Sequence, residues 1–92
     1  MVRPKKPRRV LSDPNVVYFK PRAVPLSMLK EISLSLDELE ALRLCDLENL
    51  NQTIAAQKMK ISQSTLSRIL ISARSKVAQA LTEGKAIKIH KK

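Results

Sequence analysis

The sequence predicts a mainly α fold: a helix-turn-helix domain of three helices, with a basic N-terminal arm and short flanking β-strands. Three observations point to it. Apolar residues recur at intervals of three and four from Leu66 to Leu81, the period of one buried helix face. Ser35, Asn51 and Ser62 each stand just ahead of a helical stretch, where an N-cap belongs. Two short stretches, "EISLSL" and "KAIKIH", alternate apolar with polar residues at roughly the period of a strand.

Residues 1–30 read as the arm. "VRPKKPRRV" interleaves prolines with cations, and Pro14, Pro21 and Pro25 punctuate the rest of the arm, so no long helix forms there. A short strand is expected at "VVYF", residues 16–19. Residues 31–92 read as the helix-turn-helix domain, with a C-terminal strand and a basic tail. Its first element is a strand in which Ile32 and Leu34 face inward and Glu31, Ser33 and Ser35 outward, ending before Leu36.

Ser35 and Glu38 have the spacing of a capping box, and Asp37 and Glu38 occupy the first turn of the adjoining helix, where the helix dipole favours negative charge. That helix is expected to run to about Glu48, burying Leu39, Leu42 and Cys45, with Leu44 and Leu47 widening the stripe. Asn49 and Leu50 close it. Asn51 caps a second, shorter helix to about Met59. Ser62 caps a third that runs to Glu83, where Gly84 supplies the left-handed stop. Its stripe is Leu66, Ile69, Leu70, Ala73, Val77, Ala80 and Leu81. The strand after Gly84 needs a partner, and residues 31–35 or 16–19, of the same chain or of a second copy, are the candidates.

The stretch "AAQKMKISQSTLSRIL" explains the rigid spacing of the second and third helices. Two helices joined by a short turn at a steep angle need a small residue where they cross and apolar residues to hold the angle. Counting from Gln52, Ala56 is fifth, the small position, and Ala55, Met59, Ile61, Leu66 and Ile69 fill the apolar positions. Gln63, Ser64, Ser67 and Arg68 lie off this stripe, near the end that such motifs insert into a major groove. Ser62 and Thr65, with backbone N–H groups at the same helix terminus, are placed to meet a phosphate. Lys60 stands ninth, where glycine is common because the turn can require a positive φ. Either the turn is built differently or Lys60 is strained, and its ammonium adds a phosphate contact. The plain alternative is an ordinary helical hairpin with a solvated polar face.

Charge narrows the function classes. The chain carries 18 Lys and Arg against 8 Asp and Glu, a formal net charge of +10, which suits a polyanionic partner. The cations gather at both ends of the sequence, and the acids between residues 31 and 48. One cysteine, Cys45, and one histidine, His90, can assemble neither an internal disulfide nor a usual zinc site. Cys45 reads as a small core hydrophobe, and His90 as an exposed tail residue without a role. Asp37, Glu38, Glu40, Asp46 and Glu48 read as a solvated face rather than a metal or acid–base cluster. No base, nucleophile and oxyanion donor can be nominated together, so no enzyme, cofactor, metal or small-molecule ligand is expected. No apolar run suits a signal peptide or a membrane span, so a cytoplasmic protein without membrane contact is expected.

Across nearly its whole length the chain resembles the domain-of-unknown-function family one-three-four, small prokaryotic predicted DNA-binding proteins with a helix-turn-helix similar to region 4 of sigma factors. The marks are "RPKKPRRV", "FKP", "LDELEALRLCDLENLNQ", "AAQKM", "SQSTLSRIL" and "ARSKVAQALTEGKAI". Lys60 departs from the pattern at the turn, and so does Ala23, where glycine is common after the proline. The resemblance implies a sequence-specific DNA-binding protein, a transcriptional regulator whose second motif helix reads the groove.

The expectation is therefore binding to double-stranded DNA by a homodimer. Gln63, Ser64, Ser67 and Arg68 would reach bases, and Arg3, Lys5, Lys6, Arg8, Arg9, Lys60, Arg74 and Lys76 would attract phosphate. For the arm, a solubilising tail and a phosphate-tracking segment are both open readings. The rival function is a protein-interaction module docking on the transcription machinery. RNA binding ranks below both, because Tyr18 and Phe19 are the only aromatics, too few for a stacking platform.

Overall fold

The computed structural model describes residues 16–90. In chain order these form β1 (Tyr18–Phe19), a 3-10 turn (Leu26–Met28), β2 (Glu31–Ser35), α1 (Leu36–Leu42), α2 (Gln52–Met59), α3 (Gln63–Glu83) and β3 (Ala86–His90). A π-helical turn, Arg43–Leu47, continues α1 without a break. The fold is mainly α with a small sheet, as the sequence predicts.

The three helix starts are capped as expected. Ser35 and Glu38 form the complete capping box: the Glu38 N–H donates to Ser35 Oγ at 3.1 Å, and the Ser35 N–H donates to Glu38 Oε1 at 2.9 Å. Asn51 accepts the Ile54 N–H and Ser62 accepts that of Thr65. Each cap satisfies an amide that has no partner within its own helix. Asn49 and Gly84, both at positive φ, terminate the first and third helical segments. The π turn widens the end of the first: the Glu48 N–H reaches Arg43 O, and the Leu50 N–H reaches Leu44 O.

β3 lies at the centre of the sheet, antiparallel to β1 and parallel to β2, in the order β1-β3-β2. Both candidate partners from the sequence are thus used, and both come from the same chain. The strand expected at 16–19 is confined to Tyr18–Phe19. The sheet's inner face, with Leu34 and Ile89, packs on Ala73 of α3 together with Val17, Leu36, Leu39, Leu42 and Ile87. A second cluster joins Ala41, Leu44 and Cys45 to Ala55, Ala56 and Met59 of α2 and Leu66 and Leu70 of α3, flanked by Ile61 and Ile69. Leu42 touches both clusters, so the core is continuous from sheet to helical hairpin.

Four sequence expectations are corrected. Leu47 is 73% exposed and Leu81 76% exposed. Leu47 lies in the widened π turn with Leu44 and Cys45 turned inward instead, and Leu81 lies on the flank of α3 beside an open groove shared with Phe19 and Ile87. Glu38 and Glu40, expected on a solvated face, are 6% and 1% exposed. A buried carboxylate survives only when its oxygens are occupied by donors. Glu40 takes a two-pronged pair from Arg43, both contacts at 2.8 Å, and Arg43 also bonds Glu48. Glu38 accepts from Ser72 Oγ at 2.6 Å and Lys76 Nζ at 2.9 Å besides its capping bond.

Burial by itself would raise the Glu38 pKa, but the bonds from the Ser35 amide, Ser72 and Lys76 outweigh it and hold the carboxyl below the usual glutamate range. A carboxyl depressed in the folded state contributes stability that is complete above its unfolded value and is lost as pH falls through the folded one. Acidification below about pH 4.5 should therefore lower the urea midpoint. Glu38→Gln should be less stable than the parent at neutral pH by about 1 kcal/mol, Lys76 being partly solvated, and should show a flatter acid limb. Ala56→Leu should cost about 1–3 kcal/mol in urea unfolding because the extra methylenes are forced into a filled contact. An unchanged midpoint would mean that Ala56 is not at a close crossing.

Candidate nucleic-acid interface

The helical hairpin of α2 and α3 positions the polar residues nominated from the sequence. Ala55 is completely buried and Ala56 3% exposed. With side chains this small, the two helices approach closely, and Leu66 and Leu70 fill the space beside them. The turn between them has a Schellman pattern: the Lys60 N–H donates to Gln57 O at 3.1 Å, and the Ile61 N–H to Ala56 O at 3.0 Å. Lys60 sits at φ 57°, ψ 45°. The glycine-like turn conformation is therefore kept, and the alternative of a differently built turn is set aside. Ile61 then packs against the core, and Ser62 caps α3 one residue later. Ala23, the other departure from the family pattern, has no positive φ and needs no glycine.

Beyond the turn, α3 has two unlike sides. Leu66, Leu70 and Ala73 are buried, whereas Ser62, Gln63, Ser64 and Arg68 are exposed and Thr65 and Ser67 are half-buried. The Ser62 hydroxyl donates to Thr65 Oγ1 at 2.8 Å while accepting the Thr65 N–H, and lies 3.2 Å from Ser64 Oγ. One capping serine thus organises the hydroxyls of the first turn. Thr53, near the start of α2, donates its hydroxyl to Gln63 Oε1 at 3.3 Å. Sequence spacing gave no sign of that contact, because it joins two helices across the turn.

The electrostatics of the hairpin are one-sided. Residues 49–82 include Lys58, Lys60, Arg68, Arg74 and Lys76 and no Asp or Glu. Two of these cations are engaged elsewhere. Arg74 holds Asp46 with two contacts, 3.0 and 2.6 Å, and Lys76 holds Glu38. The bond to Asp46 raises the Arg74 pKa, and the same bond from Arg74 lowers that of Asp46. The sequence assigns both cations to phosphate attraction, and both lie further along α3 than its exposed first turn. Lys58, Lys60 and Arg68 make no ion pair among the described residues; Lys58 and Lys60 lie at the turn before α3, and Arg68 lines a groove with Asp37, Glu38, Ser72 and Lys76. Arg3, Lys5, Lys6, Arg8 and Arg9 lie outside the described residues.

No group of His, Cys, Asp and Glu among the described residues could hold a metal ion. Cys45 is buried, and burial together with the neighbouring Asp46 charge pushes its thiol up, away from reactivity. His90 is exposed and bonded to Ser33 Oγ. No helix among the described residues is long and apolar enough to cross a membrane.

A family model described as "Protein of unknown function DUF134" matches residues 1–91. A UPF0251 protein of Caldanaerobacter subterraneus subsp. tengcongensis is 56% identical over 89 residues, covering 97% of this chain and 75% of the relative. A UPF0251 protein of Methanosarcina acetivorans is 56% identical over 87 residues, covering 95% of this chain and 78% of the relative. These names state no activity. No solved structure matches the chain.

The left-handed lysine makes a sharp test of the turn. Replacing a side chain at positive φ by glycine removes a steric cost of about 1 kcal/mol. Lys60→Gly should therefore raise the urea midpoint, whereas glycine inside either flanking helix would lower it. A destabilised Lys60→Gly would show that the turn does not hold this conformation.

Proposed function

Since the chain belongs to the DUF134 family, whose description assigns no activity, we propose its function from the interface itself: it binds double-stranded DNA and regulates transcription. One observation carries the reading. On α3, Ser62, Gln63, Ser64 and Arg68 are exposed and Thr65 and Ser67 half-buried, while the opposite stripe of the same helix is sealed into the core. A helix of 21 residues is about 31 Å long, and only its first two turns need enter a major groove. The remainder packs on α1 and the sheet, which holds the inserted end at a set angle.

Roles follow from chemistry. Gln63, Ser64, Ser67 and Arg68 face base edges, with Arg68 suited to a two-pronged contact with guanine. Lys58 and Lys60, at the end of α2 and in the turn, approach phosphates, and the amides at the start of α3 favour a further phosphate. The arm residues Arg3, Lys5, Lys6, Arg8 and Arg9 add attraction that carries no sequence information. Two copies acting as a homodimer would read two half-sites. The sheet does not require this, since β3 is already paired on both sides within one chain.

Gel-shift titration of the full chain with genomic fragments at two salt concentrations tests the reading. Affinity should fall steeply as salt rises, because phosphate binding releases counterions. Arg68→Ala should weaken a preferred site by about 1–3 kcal/mol and random DNA by less. Equal losses would make Arg68 a phosphate contact. No shift at low salt would defeat DNA binding and favour a module that docks on the transcription machinery. Among selected sequences, a palindrome would report the homodimer.

A further inference from the structure

The contact between Thr53 and Gln63 bears on which base the interface selects. A glutamine side chain reads adenine with both ends of its amide, the oxygen accepting from N6 and the nitrogen donating to N7. Here the oxygen faces Thr53, whose Oγ1 donates to Gln63 Oε1 at 3.3 Å and fills one of its two lone pairs. A threonine hydroxyl has a single proton to give, and giving it there leaves the amide NH2 as the outward group. The two exposed residues sit on different helices, whose packing against each other rests on the buried alanines of α2 and on Leu66 of α3.

The surroundings reinforce this polarity. Arg68, exposed on the same helix, can only donate. The capping hydroxyl of Ser62 accepts from the Thr65 amide and donates to Thr65 Oγ1. Guanine, with N7 and O6 both accepting at the major-groove edge, is the base that matches an outward pair of amide protons.

We propose that Thr53 is a positioning residue for base selection: by engaging Gln63 Oε1 it holds that oxygen toward α2 and the amide NH2 outward, which favours guanine over adenine at one position of the bound site. This rests on the DNA-binding reading above.

The test selects bound duplexes from a random pool with the full chain and with Thr53→Val, Thr53→Ser and Gln63→Ala. The base position that loses its preference in Gln63→Ala identifies the contact. At that position the parent should favour guanine, and Thr53→Val, which keeps the shape and removes the hydroxyl, should shrink the guanine-to-adenine ratio by about fivefold or more. Thr53→Ser should restore it. Affinity for random DNA and the melting temperature should stay unchanged in both, which a merely structural role for Thr53 would not allow. A parent that selects adenine there, a Thr53→Val ratio equal to the parent's, or a Gln63→Ala variant that blanks no position overturns the inference while DNA binding stands. A parent that enriches no sequence overturns the inference, and one that also gives no gel shift at low salt overturns the DNA-binding reading with it.

Discussion

Two adjacent alanines set the distance between α2 and α3, and most of the molecule is arranged around that contact. Ala55 and Ala56 present so little side chain that α3 comes close to the α2 backbone, and Leu66 and Leu70 fill the space beside them. A close crossing leaves room for only a three-residue link, Lys60 to Ser62, so one residue must reverse the chain in the left-handed region. Lys60 does so despite its Cβ, and the loss is offset by the bonds that Lys60 and Ile61 return to α2 and by the burial of Ile61. With the apolar stripe of α3 committed to this contact, its first polar turn has nowhere to face but outward.

Charge is divided along the same lines. The acids between residues 31 and 48 are largely consumed inside the molecule. Glu40 is neutralised by Arg43 within one helical turn, Glu38 ties the start of α1 to Ser72 and Lys76, and Asp46 captures Arg74. These bonds lie on α1, the π turn and the middle of α3. What remains at the α2–α3 junction is positive, so the molecule presents a local field far less mixed than its sequence as a whole suggests.

The sheet serves the hairpin from the other end. Its central strand is the last described element, and it joins β1 to β2 while laying Ile89 against Ala73. The C-terminal half of α3 is thereby clamped between the sheet and α1. The sheet and α1 thus fix where α3 lies, and with it where its first turns are presented.

Much of this was legible in the sequence, and the legible parts share a cause. Caps at Ser35, Asn51 and Ser62, the stop at Gly84, the end of β2 before Leu36 and the small residue at Ala56 depend on groups within a few residues of one another, so spacing alone specifies them. The exposed flank of α3 came from the same periodicity, as the complement of its buried stripe. Spacing could not show that Leu47 and Leu81 would be left outside the core, because their fate depends on which element arrives opposite them. Nor could it show that Glu38 and Glu40 would be buried. Glu38 meets Ser72 and Lys76, 34 and 38 residues away, and Arg74 meets Asp46 across 28. By itself the sequence determined the helices, their caps and the hairpin, because backbone hydrogen bonding and side-chain period are local. Only the tertiary structure decided which charges cancel, which remain exposed and that Thr53 engages Gln63, because Coulombic and side-chain hydrogen bonds act between whichever groups the packed core brings within about 3 Å.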